Sequence, residues 1–195
     1  IFICNKLAKR RSYKSELFTT FANQKQYIIC MKKCVLLLLV LINAQIILAQ
    51  TNTFINEKEI VSLINSLRTE GCKCGNEEVK PVTEVVWSKK LAEIAQKHSL
   101  QLHDYSAQMQ TKDFVYLSHV GTDGSTTEQR LQNAGCKTNL VVENIGYVEG
   151  KEDAIVDYWI NNPESCKNLM NKKVTTIGIG RAENFWTIIL TTPMY

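Results

Sequence analysis

Beyond residue 49 the chain lacks any excess of positive charge. Of its 23 Lys/Arg and 19 Asp/Glu, eight basic residues and one acid lie in residues 1–49, which leaves 15 basic and 18 acidic residues for the remainder. The part with globular composition is therefore mildly acidic, and nothing in it argues for nucleic acid, which requires a basic face. Nor is there an apolar run long enough to span a bilayer. The longest, Val35 to Ala49, is about 15 residues, is interrupted by Asn43 and Gln45, and falls short of the ~20 that a spanning helix needs. Internal repeats and low-complexity segments are absent. So are a Gly-x-Ser-x-Gly nucleophile elbow and the lysine of a phosphate-binding loop, which removes the usual sequence signs of a serine hydrolase or an NTPase.

What is present begins with export. Met31 is the first methionine, and Met31-Lys32-Lys33-Cys34 followed by the short apolar run and Ala49 has the form of a secretory signal peptide cleaved near Ala49–Gln50. Cys34 precedes the run, whereas a lipidated cysteine would follow it. Residues 1–30 have no clear amphipathic period and read as an upstream extension, residues 31–49 as the signal peptide, and residues 50–195 as one domain, secreted or periplasmic. Four of the seven cysteines then remain: Cys72, Cys74, Cys136 and Cys166. An exported domain with four cysteines is expected to hold two disulfides. Cys72-Lys73-Cys74 is too short a loop for an easy mutual bridge, which favours bridges from this pair to Cys136 and Cys166. Zinc is disfavoured, since Cys-x-Cys is the wrong spacing and no histidine is near.

Periodicity gives the elements. Asn56 with Glu59 caps a first helix whose Ile60, Leu63, Ile64 and Leu67 form one buried face, stopped by Gly71. Residues 72–81 read as a loop. A second helix runs from Trp87 to about Tyr105, with His98 on its apolar stripe as a core histidine and His103 off it in solvent. Ser118-His119-Val120-Gly121-Thr122-Asp123-Gly124-Ser125 is a Gly-rich loop that turns at Asp123-Gly124 and feeds a short helix through a capping box, Ser125-Thr126-Thr127-Glu128. Leu140 to Val148 is a strand on which Glu143 shares a face with Val141, Ile145 and Tyr147, so its carboxylate must be paired or hydrogen-bonded. A helix over 151–162 ends at Pro163. Val174 to Arg181 and Asn184 to Thr191 form a hairpin whose second strand is apolar on both faces, as a strand covered on two sides would be. This order of elements implies an α+β fold, a three-layer α-β-α sandwich.

Four motifs in order resemble the CAP superfamily (cysteine-rich secretory protein, antigen 5, pathogenesis-related protein 1), in its short bacterial-type form. They are Tyr116-Leu117-Ser118-His119-Val120-Gly121-Thr122-Asp123-Gly124-Ser125, Glu143-Asn144-Ile145, Trp159 through Asn162-Pro163 to Met170, and Thr176-Ile177-Gly178-Ile179-Gly180. The resemblance covers residues 57–191 and implies the same sandwich. It also implies a cleft that in the family holds two histidines and two glutamates. Here His119 and Glu143 fill the first two positions, Ser165 stands in the second histidine's place, and Asn162 stands where longer members carry the second glutamate.

Three chemistries follow for this cleft. His119 and Glu143, with Glu164 or Asp157 as conceivable additions, are a thin ligand set for a divalent cation, because catalytic zinc usually has three protein ligands. Ser165, His119 and Glu143 could form a Ser-His-acid set, although no oxyanion donors can be named. The plainest reading is a mutual hydrogen bond or ion pair that satisfies the buried acid and joins the loop to the strand. The expectation is therefore a non-catalytic extracellular binding module with no required cofactor, at most a weakly bound divalent cation, and a lipid, sterol or cell-surface component as ligand. A metal-dependent or Ser-His-Glu hydrolase is the alternative. N-terminal sequencing of the exported protein is expected to start at Gln50; a chain that retained Val35–Ala49 would replace the signal peptide with an anchor.

Overall fold

The computed structural model describes residues 54–109 and 114–195, with Met31 ahead of them. The upstream extension and, apart from Met31, the signal peptide lie outside the described residues. Helix α1, Glu57–Glu70, starts where expected. The Asn56 side chain accepts from the Glu59 N–H and its amide donates to the Glu59 carboxylate, while the Asn56 N–H donates to Glu152 and ties the helix start to a later helix. Ile60 and Ile64 are fully buried, and Gly71 caps the end.

Residues 72–81, expected as a loop, instead contain a small hairpin, β1 Cys72–Cys74 with β2 Glu77–Val79. Its two-residue turn is Gly75-Asn76, with Gly75 at φ +63°, a conformation that favours glycine. Strands of three residues, rich in Lys and Glu, carry no readable alternation, so the sequence pattern did not reveal them.

The main sheet runs β3-β5-β6-β4, with β3 Val86–Trp87, β5 Thr176–Ala182, β6 Phe185–Thr191 and β4 Val141–Tyr147. Strand β3 is parallel to β5, and the other pairs are antiparallel. All seven residues of β6 are buried. Helix α2, Lys89–Gln108, and helix α3, Thr127–Asn133, cover one face through Leu91, Ile94, Ala95 and Leu131 against Ile189. The other face holds α1, α4 (Glu152–Asn161) and α5 (Pro163–Leu169), packed through Ile155, Trp159 and Leu169 onto Ile177, Trp186, Ile188 and Leu190. This is the expected three-layer sandwich. Pro163 both ends α4 and opens α5 at its first turn, where its missing N–H leaves nothing unpaired.

Alternation on β5 explains the tight upper layer. Ile177 and Ile179 point to the α1/α4 core, while Gly178 and Gly180 meet α2 backbone to backbone. A Cβ at Gly178 would lie 2.2 Å from the Ala92 nitrogen, and one at Gly180 would lie 2.1 Å from the Gln96 nitrogen. Where β3 has ended, the Gln96 side chain continues the pairing. Its amide donates to the Arg181 carbonyl at 2.8 Å and accepts from the Arg181 N–H at 2.9 Å, blunting the open edge of β5.

One residue ties the lower layer together. Arg68 on α1 is completely buried and has no carboxylate partner among the described residues. Its guanidinium instead donates to the carbonyls of Thr83 at 2.8 Å, Asn171 and Val174 at 3.2 Å, and Leu169. It clamps α1 to the segment before β3 and to the turn after α5. Arg68→Ala would strand several buried acceptors, so thermal unfolding is expected to show a loss of about 3 kcal/mol, roughly 10 °C. A change under 2 °C would mean those carbonyls find other donors.

Candidate functional site

Register places the acid. Glu143 pairs with Ile189, and on this face of the sheet lie α2 and α3; the next residue, Asn144, pairs with Ile188 and faces the other layer. Strand β4 is an edge strand of this sheet, so Glu143 does not stand on a central strand, but α3 and the Gly-rich loop close over it. Its side chain is only 3% exposed.

Both carboxylate oxygens are occupied. Oε1 accepts from His119 Nδ1 at 2.9 Å, and Oε2 accepts from Arg130 Nη2 at 2.6 Å. Arg130 also donates through Nη1 to the carbonyls of His119 and Ser125 at 3.1 and 2.9 Å, and through Nη2 to the Thr127 hydroxyl at 3.0 Å. Buried on α3, it binds the loop and the strand at once. The capping box that launches α3 is Thr126 with Gln129, one residue beyond the expected Ser125 and Glu128. The loop is folded on itself: the Asp123 carboxylate accepts from the Ser125 N–H and hydroxyl at 3.0 and 2.6 Å, which holds it below the usual carboxylate range.

His98 is the fourth member. Fully buried on α2, its Nε2 donates to the Ser118 carbonyl at 2.9 Å and lies 3.9 Å from Glu143 Oε1. A carbonyl can only accept, so Nε2 carries the proton. Burial pushes its basicity down against the opposing pull of Glu143, and it is a neutral prop for the loop, satisfied as expected. His119 differs. Its side chain is 61% exposed, and the hydrogen bond to Glu143 raises its pKa.

The geometry does little for metal binding. His119 Nδ1 and both Glu143 oxygens face hydrogen-bond partners, and the Arg130 guanidinium holds a positive charge where a dication would sit. Neither Glu164 nor Asp157 joins them in a ligand cluster; among the described residues the only convergent set is Cys72, Cys74 and Cys166. Ser165 makes no hydrogen bond with His119 or Glu143. Its N–H donates to Asn162 Oδ1 at the start of α5, and its carbonyl accepts from Asn144 Nδ2 at 3.0 Å. Asn168 then donates to Asn144 Oδ1 at 2.8 Å. The Glu143-Asn144 pair thus divides its work between the layers: the acid holds the loop and α3, and the amide holds α5. Arg130 and the Asn144–Asn168 bond escaped the sequence reading. Neither carried a signal in the sequence: an arginine in a short helix reads as solvated until the strand opposite is known, and nothing in the spacing links Asn144 to Asn168.

The cysteines depart from expectation. Cys74 and Cys166 are bridged, with Cα atoms 5.4 Å apart, while Cys72 and Cys136 are free thiols where two bridges were expected. The sheet itself separates them: Cys136 packs with Leu131 and Ile189 on the α2/α3 side, and the other three gather where the hairpin meets α5. Two of those three sulfurs share a bond and cannot serve as thiolate ligands.

Grooves lie elsewhere. Beside β3, at the opposite edge of the sheet from β4, one groove of about 480 Å³ is lined by Phe54, Ile55, Trp87, Ala92 and Ile179 together with Glu57, Lys89, Glu93, Gln96 and Lys97. Another of about 500 Å³ follows α1 past Val61 and Asn65 to Trp87.

Removing Arg130 would leave a buried carboxylate without its ionic partner, so Arg130→Ala is expected to lose about 3–5 kcal/mol. His119→Asn should lose far less, with a pH signature. A histidine pKa raised by folding gives stability that is fully present below the ordinary value near 6.5 and is lost as pH rises through the folded value. The gap in melting temperature between wild type and His119→Asn is therefore expected to be largest near pH 6 and to shrink by pH 9. A pH-independent gap would dissolve the His119–Glu143 ion pair.

With this geometry in hand, the relatives can be placed. A solved extracellular protein containing an SCP domain from Bacillus anthracis superposes with a TM-score of 0.58 at 25% identity, over 71% of this chain and 40% of that one. A cysteine-rich secretory protein from Staphylococcus aureus gives 0.52 at 14% identity, over 70% and 38%. An outer surface protein from Borrelia burgdorferi gives 0.52 at 19% identity, over 69% and 90%, and like the Staphylococcus protein it shows the fold alone. The chain spans about two fifths of the first two. No curated protein sequence matches it. The model of the cysteine-rich secretory protein family matches residues 61–187, from α1 through β6. That match takes in Arg130, Glu143 and both bridged cysteines, and the chain belongs to this family, CAP.

Proposed function

We propose that this CAP domain is an exported, non-catalytic binding module whose ligand is a lipid, a sterol or an apolar part of a cell-surface component. The observation that carries the non-catalytic part is the closure of Glu143. With one oxygen on His119 and the other on Arg130, the acid is a structural clamp with neither oxygen free for a metal; it does hold His119 by Nδ1, but no nucleophile is hydrogen-bonded to that ring. Ser165, the candidate nucleophile, is held through its backbone by Asn144 and Asn162, and its hydroxyl makes no hydrogen bond with His119. Apolar binding is supported by the groove beside β3, where Phe54, Ile55, Trp87 and Ile179 lie within a rim of Glu57, Lys89, Glu93 and Lys97, away from the clamp. Export is supported by the short apolar run behind Lys32-Lys33, by the disulfide, and by extracellular and outer-surface structural neighbours.

Native mass spectrometry of the exported protein, paired with a fluorophosphonate probe, tests this reading. A lipid-sized adduct is expected, with no stoichiometric metal and no label on Ser165. Labelling at Ser165, or one tightly held divalent ion per chain, would move the function to the hydrolase alternative.

A further inference from the structure

The three sulfurs at the junction of the hairpin and α5 carry a reactivity that the clamp and the grooves do not use. Residues two apart on a strand share a face, so Cys72 and Cys74 both point from β1 toward α5 while Lys73 turns outward. Cys166 on α5 faces both. Its bridge is to Cys74, yet the free Sγ of Cys72 lies 3.6 Å from the Cys166 sulfur and 3.9 Å from that of Cys74. These are contact distances for sulfur. The bridged pair is inaccessible, with Cys74 at 1% and Cys166 at 0% exposure, whereas Cys72 is half-buried.

We propose that this is a thiol–disulfide exchange site in which Cys72 and Cys74 are alternative partners of Cys166. In the exchange step the Cys72 thiol gives its proton to solvent. The resulting thiolate attacks the Cys166 sulfur, forming a Cys72–Cys166 bond. The electron pair of the Cys74–Cys166 bond leaves with the Cys74 sulfur, which takes up a proton. One S–S bond and one thiol exist before and after, so no oxidant or reductant is consumed. Lying beside the bond, Cys72 must rotate behind the Cys166 sulfur for in-line attack, a side-chain movement that leaves the three-residue pairing of β1 with β2 intact. Burial pushes the Cys72 thiol up, which keeps the exchange slow at neutral pH.

The two isomers differ in which thiol is free. With Cys74 bridged, the free thiol is Cys72, within reach of a small disulfide or a cysteine of a partner. With Cys72 bridged, the free thiol is the enclosed Cys74. The exchange therefore presents or withdraws a reactive thiol without releasing the hairpin from α5.

Trypsin separates the alternatives because it cuts after Lys73. The exported full chain, incubated at pH 8 without added thiol, would be blocked with N-ethylmaleimide, digested, and mapped under non-reducing conditions. The expected result is two bridged species, the 152–167 peptide joined to the peptide that ends at Lys73 and to the one that begins at Cys74. Their approach to a constant ratio should be independent of protein concentration. Cys74→Ser is expected to form the Cys72–Cys166 bridge in near-full yield and to melt within a few degrees of wild type, while Cys72→Ser/Cys74→Ser forms none and melts lower. A wild-type map that holds only the Cys74–Cys166 species at every time would overturn the proposal. So would a folded Cys74→Ser chain whose Cys72 and Cys166 both react with maleimide. If Cys74→Ser does not fold, the wild-type time course decides alone.

Discussion

Burying the Glu143 carboxylate is the constraint on which the upper layer of this domain depends. A charge taken out of water costs several kcal/mol unless it is paired and its lone pairs are filled. On β4 only the residue's own pleat can aim it toward α2 and α3, and every partner has to come from elsewhere in sequence: Arg130 thirteen residues earlier and His119 twenty-four residues earlier. Arg130 can reach it only because the Thr126–Gln129 box fixes where α3 begins, and His119 only because the loop folds on Asp123 and is propped by neutral His98. Motifs that look like separate features of the chain are therefore conditions of one electrostatic solution.

The lower layer meets the opposite problem with opposite means. Arg68 is buried without an acid among the described residues and spreads its charge over four backbone carbonyls. Between these two groups lies a sheet whose central strand is apolar on both faces, and Gly178 and Gly180 let α2 lie against it. The two buried ions thus do different work: one closes a loop over an edge strand, and the other fixes where α1 meets the chain that leaves α5.

Helices α1 and α2, the β5–β6 hairpin and the strand holding Glu143 were legible because each has a period and a stop that depend on local residues alone. The β1–β2 hairpin was not, since three-residue strands of Cys, Lys and Glu show no period. The cysteine pairing was misread for a different reason. Counting four cysteines presumes that all can meet, and only the assembled sheet shows Cys136 on one side and Cys166 on the other. For the site, the sequence supplied His119 and Glu143 and the idea that they pair. Arg130 was hidden because a single arginine in a seven-residue helix resembles any solvated residue until the strand opposite is known. His98 was visible only as a core residue, and its contact with the Ser118 carbonyl depends on a loop conformation that no spacing encodes.

The difference between a clamp and a catalytic site then comes down to which lone pairs remain. A general base needs an accessible nitrogen oriented by its acid and a nucleophile on its other side; a metal needs several acceptors aimed at one point. In this domain the acid's two oxygens are closed by N–H donors, one of them a permanent cation, and the serine nearest in family position is drawn by Asn144 toward the opposite layer. The Nε2 of His119 is the remaining open atom, on an exposed ring tethered to a neutralised acid. An open nitrogen oriented by an acid is half of a general-base pair, and what it lacks is a nucleophile in hydrogen-bond contact. In the proposed binding module, recognition would then fall to a surface away from the clamp, and the groove beside Trp87, at the opposite edge of the sheet from Glu143, joins Phe54, Ile55 and Ile179 to a charged rim of Glu57, Lys89, Glu93 and Lys97.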